Sequence, residues 1–511
     1  MSHNMHRLWM ALATAGAIVG SATVVVAGPK DDTLNIGMLR ETDYLDRLHA
    51  NARETQLLSA LLYDTLIYGD PQTREFKPGL ATAWTQVDPT TIDFDLRQGV
   101  KFHNGEAFNA DDVVYTIKTV MDPATKLLQQ AADFGNYASV EKLGDYKVRL
   151  KLKEPDPTVL NLVASRLIIF PNEYSDKNGH EAHRAAPVGT GPYALKSLQA
   201  GKSYVFARYP GYVPAGRPAA SIANLNFRVI PQVQTQLAEF MIGGLDLSFD
   251  FDADSAKMAA STPNVKVSFG GSTRYTYLSL DAAGRSGDTP LKNAAVRRAI
   301  GMAIDRKAIA DQLVGNGAPV LRAHCNPNQT LCLDEELGAP AYDPAKAREL
   351  LKAAGYPDGF KVAFESSEDL RSLGEAVQGY LGKVGIKADY STATLPAWRT
   401  RFLAGNSSMS LMGWGGGGGL DVDYALATFF NGSATDYARD PEVTKLVGEG
   451  RSTLDPEARK GVYRKLLGLI NERAYSVPLF GNVSIYVMGS NLNFLPPKID
   501  SPDLTWAKWA N

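Results

Sequence analysis

Cysteine is almost absent from this chain, since Cys325 and Cys332 are the only two among its 511 residues. If the chain is exported, as its N-terminus indicates, two cysteines seven residues apart most simply form one disulfide. A metal pair that includes the nearby His324 is the alternative. The segment HCNPNQTLC is rich in turn-forming residues, so the bridge is expected to staple a surface loop.

An excess of charge of either sign is also lacking, because 53 Lys and Arg nearly balance 55 Asp and Glu, for a formal charge of −2. This balance gives no electrostatic case for nucleic acid or an anionic membrane as a partner. Internal repeats and low-complexity segments are missing, which argues against a purely structural role. The length of 511 residues exceeds what one core supports, so two or three lobes are expected.

Common catalytic motifs are missing as well, including the G-x-S-x-G elbow and the phosphate-binding loop. Residues 180–183 (HEAH) resemble a zinc motif, but their histidines are three apart instead of four, so a solvated surface pair is expected. Asp421 and Asp423 could be paired carboxylates, although a loop aspartate more often binds backbone amides. We therefore expect no metal, no cofactor and no catalysis. A periplasmic hydrolase or metal-dependent enzyme remains the alternative.

The N-terminus has the pattern of a cleaved signal peptide over residues 1–27. A short basic segment around Arg7 precedes an apolar run of small residues, 8–26, and cleavage is expected after Ala27. The run is nearly long enough to span a bilayer, so an uncleaved anchor is the alternative. No cysteine follows the cut, which argues against a lipid anchor and favours a freely diffusing periplasmic protein.

Residues 94–123 are the most informative stretch of the chain. Alternating apolar residues predict a strand, and Asn104-Gly105 predicts a turn because both residues tolerate positive φ. Asn109 is a good N-cap for the amphipathic helix that follows, and Asp112 can complete a capping box. Physical chemistry alone thus predicts strand, turn and capped helix here, and no chemistry.

The same stretch also carries a resemblance to a known family. Residues 97–115, R-x-G-V-K-F-H-N-G-E-x-F-x-A-D-D-V-x-Y, resemble the signature of family 5 extracellular solute-binding proteins. These are periplasmic receptors of ABC importers for peptides, nickel complexes, opines and some sugars. Further similar segments are 63–66, 78–84, 189–193 (GTGPY), 290–314 and 475–479. The glycines of GTGPY are interpreted as a turn that needs positive φ, in preference to a ligand contact.

Strands that alternate with helices along the chain favour an α/β architecture. The resemblance implies a two-lobed periplasmic-binding-protein fold of the cluster C type, with an extra inserted subdomain. Two crossovers between the lobes are expected near 278–282 and 479–488. The implied divisions are a signal peptide (1–27), lobe I (28–66, 187–283 and 488–511), an inserted subdomain that carries the signature (67–186) and lobe II (284–487).

The resemblance also implies the function. A periplasmic substrate-binding protein of this kind delivers a polar solute to an ABC importer by closing its two lobes, without chemistry. Its expected partners are a small-molecule ligand and the membrane subunits of the importer. We expect a monomer that binds no nucleic acid.

The ligand is less well defined. Peptide-binding proteins that resemble this chain use an aspartate just beyond a Gly-Trp pair for the peptide ammonium, and in some an earlier arginine for the carboxylate. Here glycines follow Gly413-Trp414, the first acid is Asp421, and the arginine nearest to the earlier loop, 364–369, is Arg371. Both departures weaken the peptide interpretation, because a buried unpaired charge is costly. Peptide, opine and sugar-like ligands therefore all stay open, and a metal chelate is a further alternative.

A candidate ligand site follows from the resemblance and from these residue types. Trp414 is expected to be a flat platform for the ligand, and the glycines after it are expected to allow close backbone approach. The candidate ligand-binding residues are Trp414, Gly415, Gly416, Asp421, Asp423, Tyr275, Tyr277, Arg40, Tyr44, Glu365 and Ser366.

Overall fold

The computed structural model describes residues 31–50, 52–128, 130–249, 251–315, 317–338, 341–415, 420–500 and 502–510. The predicted signal peptide, residues 1–27, lies outside the described residues. None of the helices in the described part of the chain is long and apolar enough to cross a membrane.

Strands and helices alternate along most of the described chain, as expected for an α/β protein. The strands are, in chain order, β1 (Thr33–Met38), β2 (Ile67–Gly69), β3 (Phe76–Pro78), β4 (Ala81–Asp88), β5 (Thr91–Leu96), β6 (Tyr137–Gly144), β7 (Lys147–Leu152), β8 (Tyr193–Gln199), β9 (Ser203–Arg208), β10 (Asn224–Val229), β11 (Leu247–Phe249), β12 (Val265–Gly270), β13 (Tyr275–Leu280), β14 (Phe360–Ser367), β15 (Ile386–Ala393), β16 (Met409–Trp414), β17 (Ser476–Gly481), β18 (Ser484–Gly489), β19 (Leu492–Asn493) and β20 (Lys508–Trp509).

The helices cover the faces of these sheets. They are α1 (Arg53–Leu62), α2 (Ala110–Met121), α3 (Gln130–Phe134), α4 (Val159–Ser165), α5 (Asn172–Asn178), α6 (Ala182–Ala185), α7 (Val233–Met241), α8 (Ala253–Ala260), α9 (Ala294–Ala303), α10 (Arg306–Ile309), α11 (Pro344–Ala353), α12 (Arg371–Gly382), α13 (Leu395–Leu403), α14 (Asp423–Phe429), α15 (Pro441–Ser452) and α16 (Pro456–Glu472). The last two are separate because Asp455 caps a new helix, accepting a hydrogen bond from the Ala458 N–H at 2.8 Å, with Pro456 at its first position.

The first lobe is built on a seven-stranded sheet in the order β12-β18-β11-β1-β10-β9-β8. Strand β1 lies near its centre and runs parallel to both neighbours, with Ile36 opposite Phe227 on β10 and Leu247 on β11. These three side chains are fully buried, as expected for a central strand covered on both faces.

The second lobe is built on a five-stranded sheet in the order β15-β14-β16-β13-β17. The chain leaves the first sheet after Gly270 and enters the second at Tyr275, and it returns between Gly481 and Ser484. The two connections touch, because the N–H of Asn482 donates to the carbonyl of Arg274 at 2.9 Å. The first connection lies a few residues before the predicted crossover near 278–282, and the second lies within the predicted range 479–488. The predicted domain limits themselves stay a prediction.

A third sheet, β4-β5-β7-β6, is antiparallel, and we call it the inserted sheet. The signature, residues 97–115, directly follows its strand β5 and extends into α2. The expected strand, turn and capped helix are present as β5, a turn with Gly105 at φ +93°, and α2. The Asn109 side chain accepts from the N–H of Asp111 at 2.7 Å, and the Asp112 carboxylate accepts from the N–H of Asn109 at 2.8 Å. The predicted capping box is therefore confirmed.

The glycine turn at residues 189–193 differs from its interpretation, because neither glycine has a positive φ. A Cβ atom on Gly189 would lie 2.0 Å from the carbonyl oxygen of Leu62, and one on Gly191 would lie 2.4 Å from that of Leu61. Close packing against the end of α1 therefore requires glycine here. His103 of the signature locks the same turn, because its Nε2 lies 3.0 Å from the Gly191 carbonyl oxygen.

The predicted disulfide between Cys325 and Cys332 is present, with Cα atoms 5.7 Å apart. Its loop is only partly the surface loop that we expected, because Pro327 and Thr330 are exposed whereas Cys325 and Asn326 are fully buried. The Asn326 side chain donates to the Arg274 carbonyl at 2.7 Å, and that of Asn328 donates to the Ser272 carbonyl at 3.0 Å. The loop is thus packed against one of the two connections between the lobes.

Replacing both cysteines by serine should lower the free energy of unfolding by about 2–3 kcal/mol, because a short covalent loop restricts the unfolded chain. Urea titration of the variant and of the wild-type protein would measure this difference. Thiol counting on denatured, non-reduced wild-type protein is the control, and two free thiols there would contradict the bridge.

Candidate functional site

A cavity opens where the first lobe, the part of the chain around the inserted sheet and the second lobe meet. The atom-free space in and around it is about 970 Å³, a volume that includes open solvent. Leu420 is the one residue of the second lobe among its described lining residues. The lining residues are Arg47, Gln56, Ala60, Tyr63, Asp64, Thr65, Tyr68, Gly69, Pro71, Ala164, Ser165, Arg166, Ile168, Ala215, Arg217, Leu420, Ile499, Pro502 and Asp503.

A buried ion pair between Asp64 and Arg217 forms one wall of this cavity. The Arg217 Nη2 donates to Asp64 Oδ1 at 2.7 Å, and the Thr190 hydroxyl donates to Oδ2 at 3.0 Å. Burial raises the pKa of Asp64, and the charge of Arg217 and both hydrogen bonds oppose that shift. Arg217 Nη1 also donates to the Ala60 carbonyl at 2.7 Å. The pair therefore joins the end of α1, the glycine turn and the loop after β9.

A second buried pair joins Arg166 and Asp133. The Nε and Nη2 atoms of Arg166 lie 2.9 and 2.8 Å from Asp133 Oδ2, and both side chains are 2% exposed. Burial raises the pKa of Asp133, against the attraction of Arg166. The charge of this lining arginine is thus already balanced within the protein.

Arg47 is the third arginine of the cavity, and none of the described carboxylates forms an ion pair with it. Its Nη1 donates to the Ser165 carbonyl and its Nη2 to the Gln56 carbonyl at 3.0 Å. Its Nε is buried and has no hydrogen-bond acceptor among the described residues. Burial, with repulsion by Arg166 and Arg217, lowers the pKa of Arg47 to about 9.

The C-terminal segment supplies a further wall through Asp503. The Tyr68 hydroxyl donates to Asp503 Oδ2 at 3.0 Å and accepts from the Trp506 indole N–H at 3.3 Å. Asp503 Oδ2 also lies 3.9 Å from Arg217 Nη1. Two carboxylates, those of Asp64 and Asp503, therefore lie beside the single charge of Arg217.

The two aliphatic hydroxyl groups of the cavity, those of Thr65 and Ser165, are engaged with the backbone. Thr65 Oγ1 donates to the Ile67 carbonyl at 2.6 Å, and Ser165 Oγ donates to the Asn161 carbonyl at 2.7 Å. Both hydroxyl protons are therefore directed at carbonyl oxygens, which cannot activate them as nucleophiles. Such an arrangement can bind a polar molecule through charges and amide groups without reacting with it.

Trp414, the expected platform, ends β16 and is half-buried. Its ring packs edge-to-face on Phe429 with centroids 4.8 Å apart, and it lies 5.8 Å from the ring of Tyr424. Gly415 has a φ of +122°, and a Cβ there would lie 2.5 Å from the Arg274 Cα. Glycine at this position admits the chain's own inter-lobe connection. Gly416 lies outside the described residues.

Tyr275 and Tyr277 are buried in the core of the second lobe. Their rings lie 5.7 Å apart, and that of Tyr277 lies 4.3 Å from the ring of His324. Both residues therefore act as packing side chains in this structure.

Asp421 and Asp423 are also buried and already have partners. Arg459 donates to both oxygens of Asp421, at 2.7 and 2.8 Å. Asp423 accepts from the Tyr463 hydroxyl at 2.9 Å, and burial raises its pKa to about 6. Asp421 is thus not free to bind a peptide ammonium in this arrangement.

The remaining predicted residues lie at two other places. Arg40 is exposed, and Tyr44 stacks on His49 with centroids 4.9 Å apart. Glu365 accepts from Arg401 at 3.0 Å and from Ser407 at 2.6 Å. Ser366 is fully buried, and its hydroxyl lies 2.6 Å from that of Tyr390.

None of the predicted site residues that the structure describes lines the cavity, and their role in ligand binding stays a prediction. The sequence analysis missed Arg47, Asp64 and Arg217. Asp64 had a signal, because it lies in the segment 63–66 that resembles the family. Arg217 had none, since it becomes a site residue only through its distant partner Asp64.

The histidines of residues 180–183 are not the solvated surface pair that we expected. His183 is buried, with Nε2 2.9 Å from the Ser175 hydroxyl and Nδ1 3.4 Å from that of Tyr63. His180 stacks on His49 and packs edge-to-face on Phe170, with ring centroids 4.9 and 4.6 Å away. In the part of the chain that the structure describes, no group of three His, Cys, Asp or Glu side chains is placed to hold a metal ion.

Comparison with known families decides the identity. Residues 75–437 match the family model of bacterial extracellular solute-binding proteins, family 5, middle region. The chain belongs to this family. It is therefore a solute-binding protein of an ABC importer and not an enzyme, and the alternative of a hydrolase or metal-dependent enzyme is wrong. Family 5 proteins are periplasmic or extracellular, and they deliver small ligands such as peptides to importer membrane subunits.

Several curated proteins are similar to this family 5 chain along most of its length. The probable di/tripeptide-binding protein 5 of Pseudomonas aeruginosa is 29% identical, over 88% of this chain and 90% of that protein. Heme-binding protein A of Haemophilus influenzae is 28% identical over 83% and 82%. The glutathione-binding protein GsiB of Escherichia coli is 27% identical over 96% of both chains.

Solved structures confirm the two-lobed α/β fold of this family 5 protein. HbpA2 from Haemophilus parasuis has a TM-score of 0.82 at 22% identity, covering 94% of this chain and all of the other. NikA from Brucella suis, in complex with Fe(III)-EDTA, has a TM-score of 0.82 at 22% identity, over 93% and 99%. DppA from Helicobacter pylori, in complex with the peptide STSA, has a TM-score of 0.76 at 22% identity, over 94% and 98%. At this identity the likeness establishes the fold alone.

The Asp421–Arg459 pair gives a prediction about stability. Arg459→Met should lower the free energy of unfolding by about 3–5 kcal/mol, because it leaves a buried carboxylate without its partner. Urea titration would measure the loss. Arg464→Met on the same helix removes an exposed pair with Glu336 and should cost below about 1 kcal/mol. Equal, small losses in both variants would contradict a structural role for Asp421.

His183 gives a prediction about pH. Burial lowers its pKa from 6.5 to about 3, so the folded state excludes a proton that the unfolded state binds. Its contribution to stability is complete above pH 6.5 and is lost as the pH falls towards 3. Urea titrations from pH 7 to 4.5 should therefore show a shallower pH dependence for His183→Gln, by up to about 1.4 kcal/mol per pH unit. Equal pH dependence of the two proteins in this range would contradict the assignment. Additional titrations at pH 7–8, where the two proteins should show the same pH dependence, are the internal control.

Proposed function

We propose that this protein is a monomeric periplasmic receptor that binds a short peptide or a peptide-like solute of similar size in the cavity described above. It closes its two lobes on the ligand and passes the ligand unchanged to the membrane subunits of its importer. The two connections between the lobes, at residues 271–274 and 482–483, are short and lie side by side. That arrangement suits a hinge.

The observation that carries this proposal is the composition of the cavity wall. The wall combines charged residues from the first lobe, from the part of the chain around the inserted sheet and from the C-terminal segment: Arg47, Asp64, Arg166, Arg217 and Asp503. The second lobe contributes Leu420. A ligand that touches both lobes stabilises their closed arrangement, because binding favours the state with which it makes more contacts. A cavity with polar groups on an apolar wall is typical of a small-molecule site.

A short peptide is the ligand class that the relatives favour. The names of two similar proteins refer to di- or tripeptides and to glutathione, itself a tripeptide. Other neighbours bind different molecules: NikZ from Campylobacter jejuni was solved with Ni(L-His). The Asp421–Arg459 pair adds a constraint, because the aspartate nearest to the Gly-Trp pair is already neutralised. We therefore propose that a peptide here uses charges of the cavity instead.

Two measurements on protein purified from a periplasmic extract test the proposal. Native mass spectrometry should detect a small ligand that is released unchanged on denaturation. After removal of that ligand, saturating glutathione or trialanine should reduce the radius of gyration measured by small-angle X-ray scattering. At a hundred times Kd, the same ligand should add about 2.7 kcal/mol to the free energy of unfolding.

Protein refolded without ligand is the control for both measurements. A chemically altered ligand would contradict a receptor role. Unchanged dimensions with a saturating ligand would contradict closure of the lobes.

A further inference from the structure

Arg47 differs from the other two arginines of the cavity because no carboxylate among the described residues forms an ion pair with it. Arg166 is paired with Asp133 and Arg217 with Asp64. Arg47 donates only to two backbone carbonyls, and its buried Nε–H has no acceptor among the described residues. A buried donor that lacks an acceptor destabilises the folded state, and a buried unpaired cation does so more strongly. This position is therefore unfavourable unless a ligand completes it.

The turn that carries Arg47 is held rigidly by its neighbour Asp46. The Asp46 carboxylate is buried and accepts from the N–H groups of Leu48 and His49, at 3.1 and 3.0 Å. It also lies 2.8 Å from the Nδ1 atom of His49. Asp46 is thus engaged by its own turn, and the backbone of Arg47 is fixed between β1 and α1.

The charges around the cavity indicate which anion fits. Three arginines are matched by three aspartates, Asp64, Asp133 and Asp503, so the cavity is not strongly positive overall. Two of these aspartates lie beside Arg217, at 2.7 and 3.9 Å, and leave the charge of Arg47 uncompensated. A singly charged group suits this distribution better than a doubly charged phosphate does.

We propose that the ligand carries a carboxylate and that Arg47 binds it in the closed protein. This inference rests on the proposed function, since it concerns the ligand of the same cavity. A guanidinium presents its N–H groups in a planar fork that matches the two oxygens of a carboxylate. The Nε–H of Arg47 completes its hydrogen bonding in this way, and the lowered pKa of Arg47 rises when the anion is bound. Arg47 thus takes the place of the loop arginine that binds the carboxylate in some dipeptide receptors.

The test compares two libraries of random tripeptides, one of free acids and one of C-terminal amides, with glutathione as a single defined probe. Native mass spectrometry of ligand-stripped protein would report which peptides bind. The wild-type protein should bind acids at least about tenfold more tightly than amides, as expected for a hydrogen-bonded charge pair. In Arg47→Met this preference should disappear, with affinity for amides changed less than about threefold.

Two further variants make the result specific. Arg47→Lys keeps the charge but loses the planar fork of N–H groups, so it should retain part of the preference for acids. If Arg47→Met does not fold, the reduced preference in Arg47→Lys tests the role of Arg47 instead. Arg208→Met is the matched control, because Arg208 also donates only to backbone carbonyls, those of Ala220 and Ser221, and does not line the cavity. The control should behave as the wild-type protein does. Unchanged melting temperatures would separate a binding role of Arg47 from a structural one.

The results that would contradict the role of Arg47, the carboxylate or the peptide ligand class can be told apart. Equal binding of acids and amides by the wild-type protein would overturn the role of Arg47 and leave the proposed receptor function intact. An undiminished preference for acids in Arg47→Met would do the same. Stronger competition by inorganic phosphate than by acetate would overturn the choice of carboxylate. Failure of glutathione and both libraries to bind would overturn the peptide ligand class and this inference together.

Discussion

The buried carboxylate of Asp64 is bound from two directions, and much of the architecture around the cavity depends on these bonds. Arg217 reaches it from the loop after β9, and Thr190 reaches it from the glycine turn. The glycine turn also packs against the end of α1, and it is hydrogen-bonded to His103 of the signature. Since a buried charge is tolerated only when paired and hydrogen-bonded, these segments are held in a single arrangement. The signature and the glycine turn therefore meet behind Asp64 as structural supports, without lining the cavity themselves.

The disulfide loop contacts both a connection between the lobes and the segment that carries Leu420. Asn326 and Asn328 donate to the connection between the lobes at Arg274 and Ser272. On its other side the loop forms a parallel bridge between Thr330 and Asp421, and the N–H of Thr330 donates to the Leu420 carbonyl at 2.6 Å. Leu420, which the second lobe contributes to the cavity, is thus attached to a connection between the lobes through a covalently closed loop.

A helix cap and a buried ion pair show why local structure was easier to predict than the surroundings of the candidate site residues. Asn109 and Asp112 were predicted correctly because a helix cap depends on neighbours within three residues of each other. The ligand role of Asp421 stays a prediction, but its ion pair with Arg459, 38 residues away, could not be recognised from local spacing. Tyr275 and Tyr277 alternate in the sequence as strand residues do, but both faces of β13 are covered, so neither ring reaches the cavity. Arg47 was overlooked because an arginine in a polar turn has no pattern that marks it as unpaired.

The amino-acid sequence alone determined the α/β class, the strand, turn and capped helix of the signature, the membership suggested by that signature and the pairing of the two cysteines. These properties depend on local spacing, on residue type and on the count of a rare residue, all of which are visible along the chain. Only the tertiary structure decided which charges are already neutralised, why Gly189 and Gly191 must be glycine, and where the cavity lies. The reason is that burial and ion pairing depend on partners that are distant in sequence, such as Asp64 with Arg217, 153 residues apart.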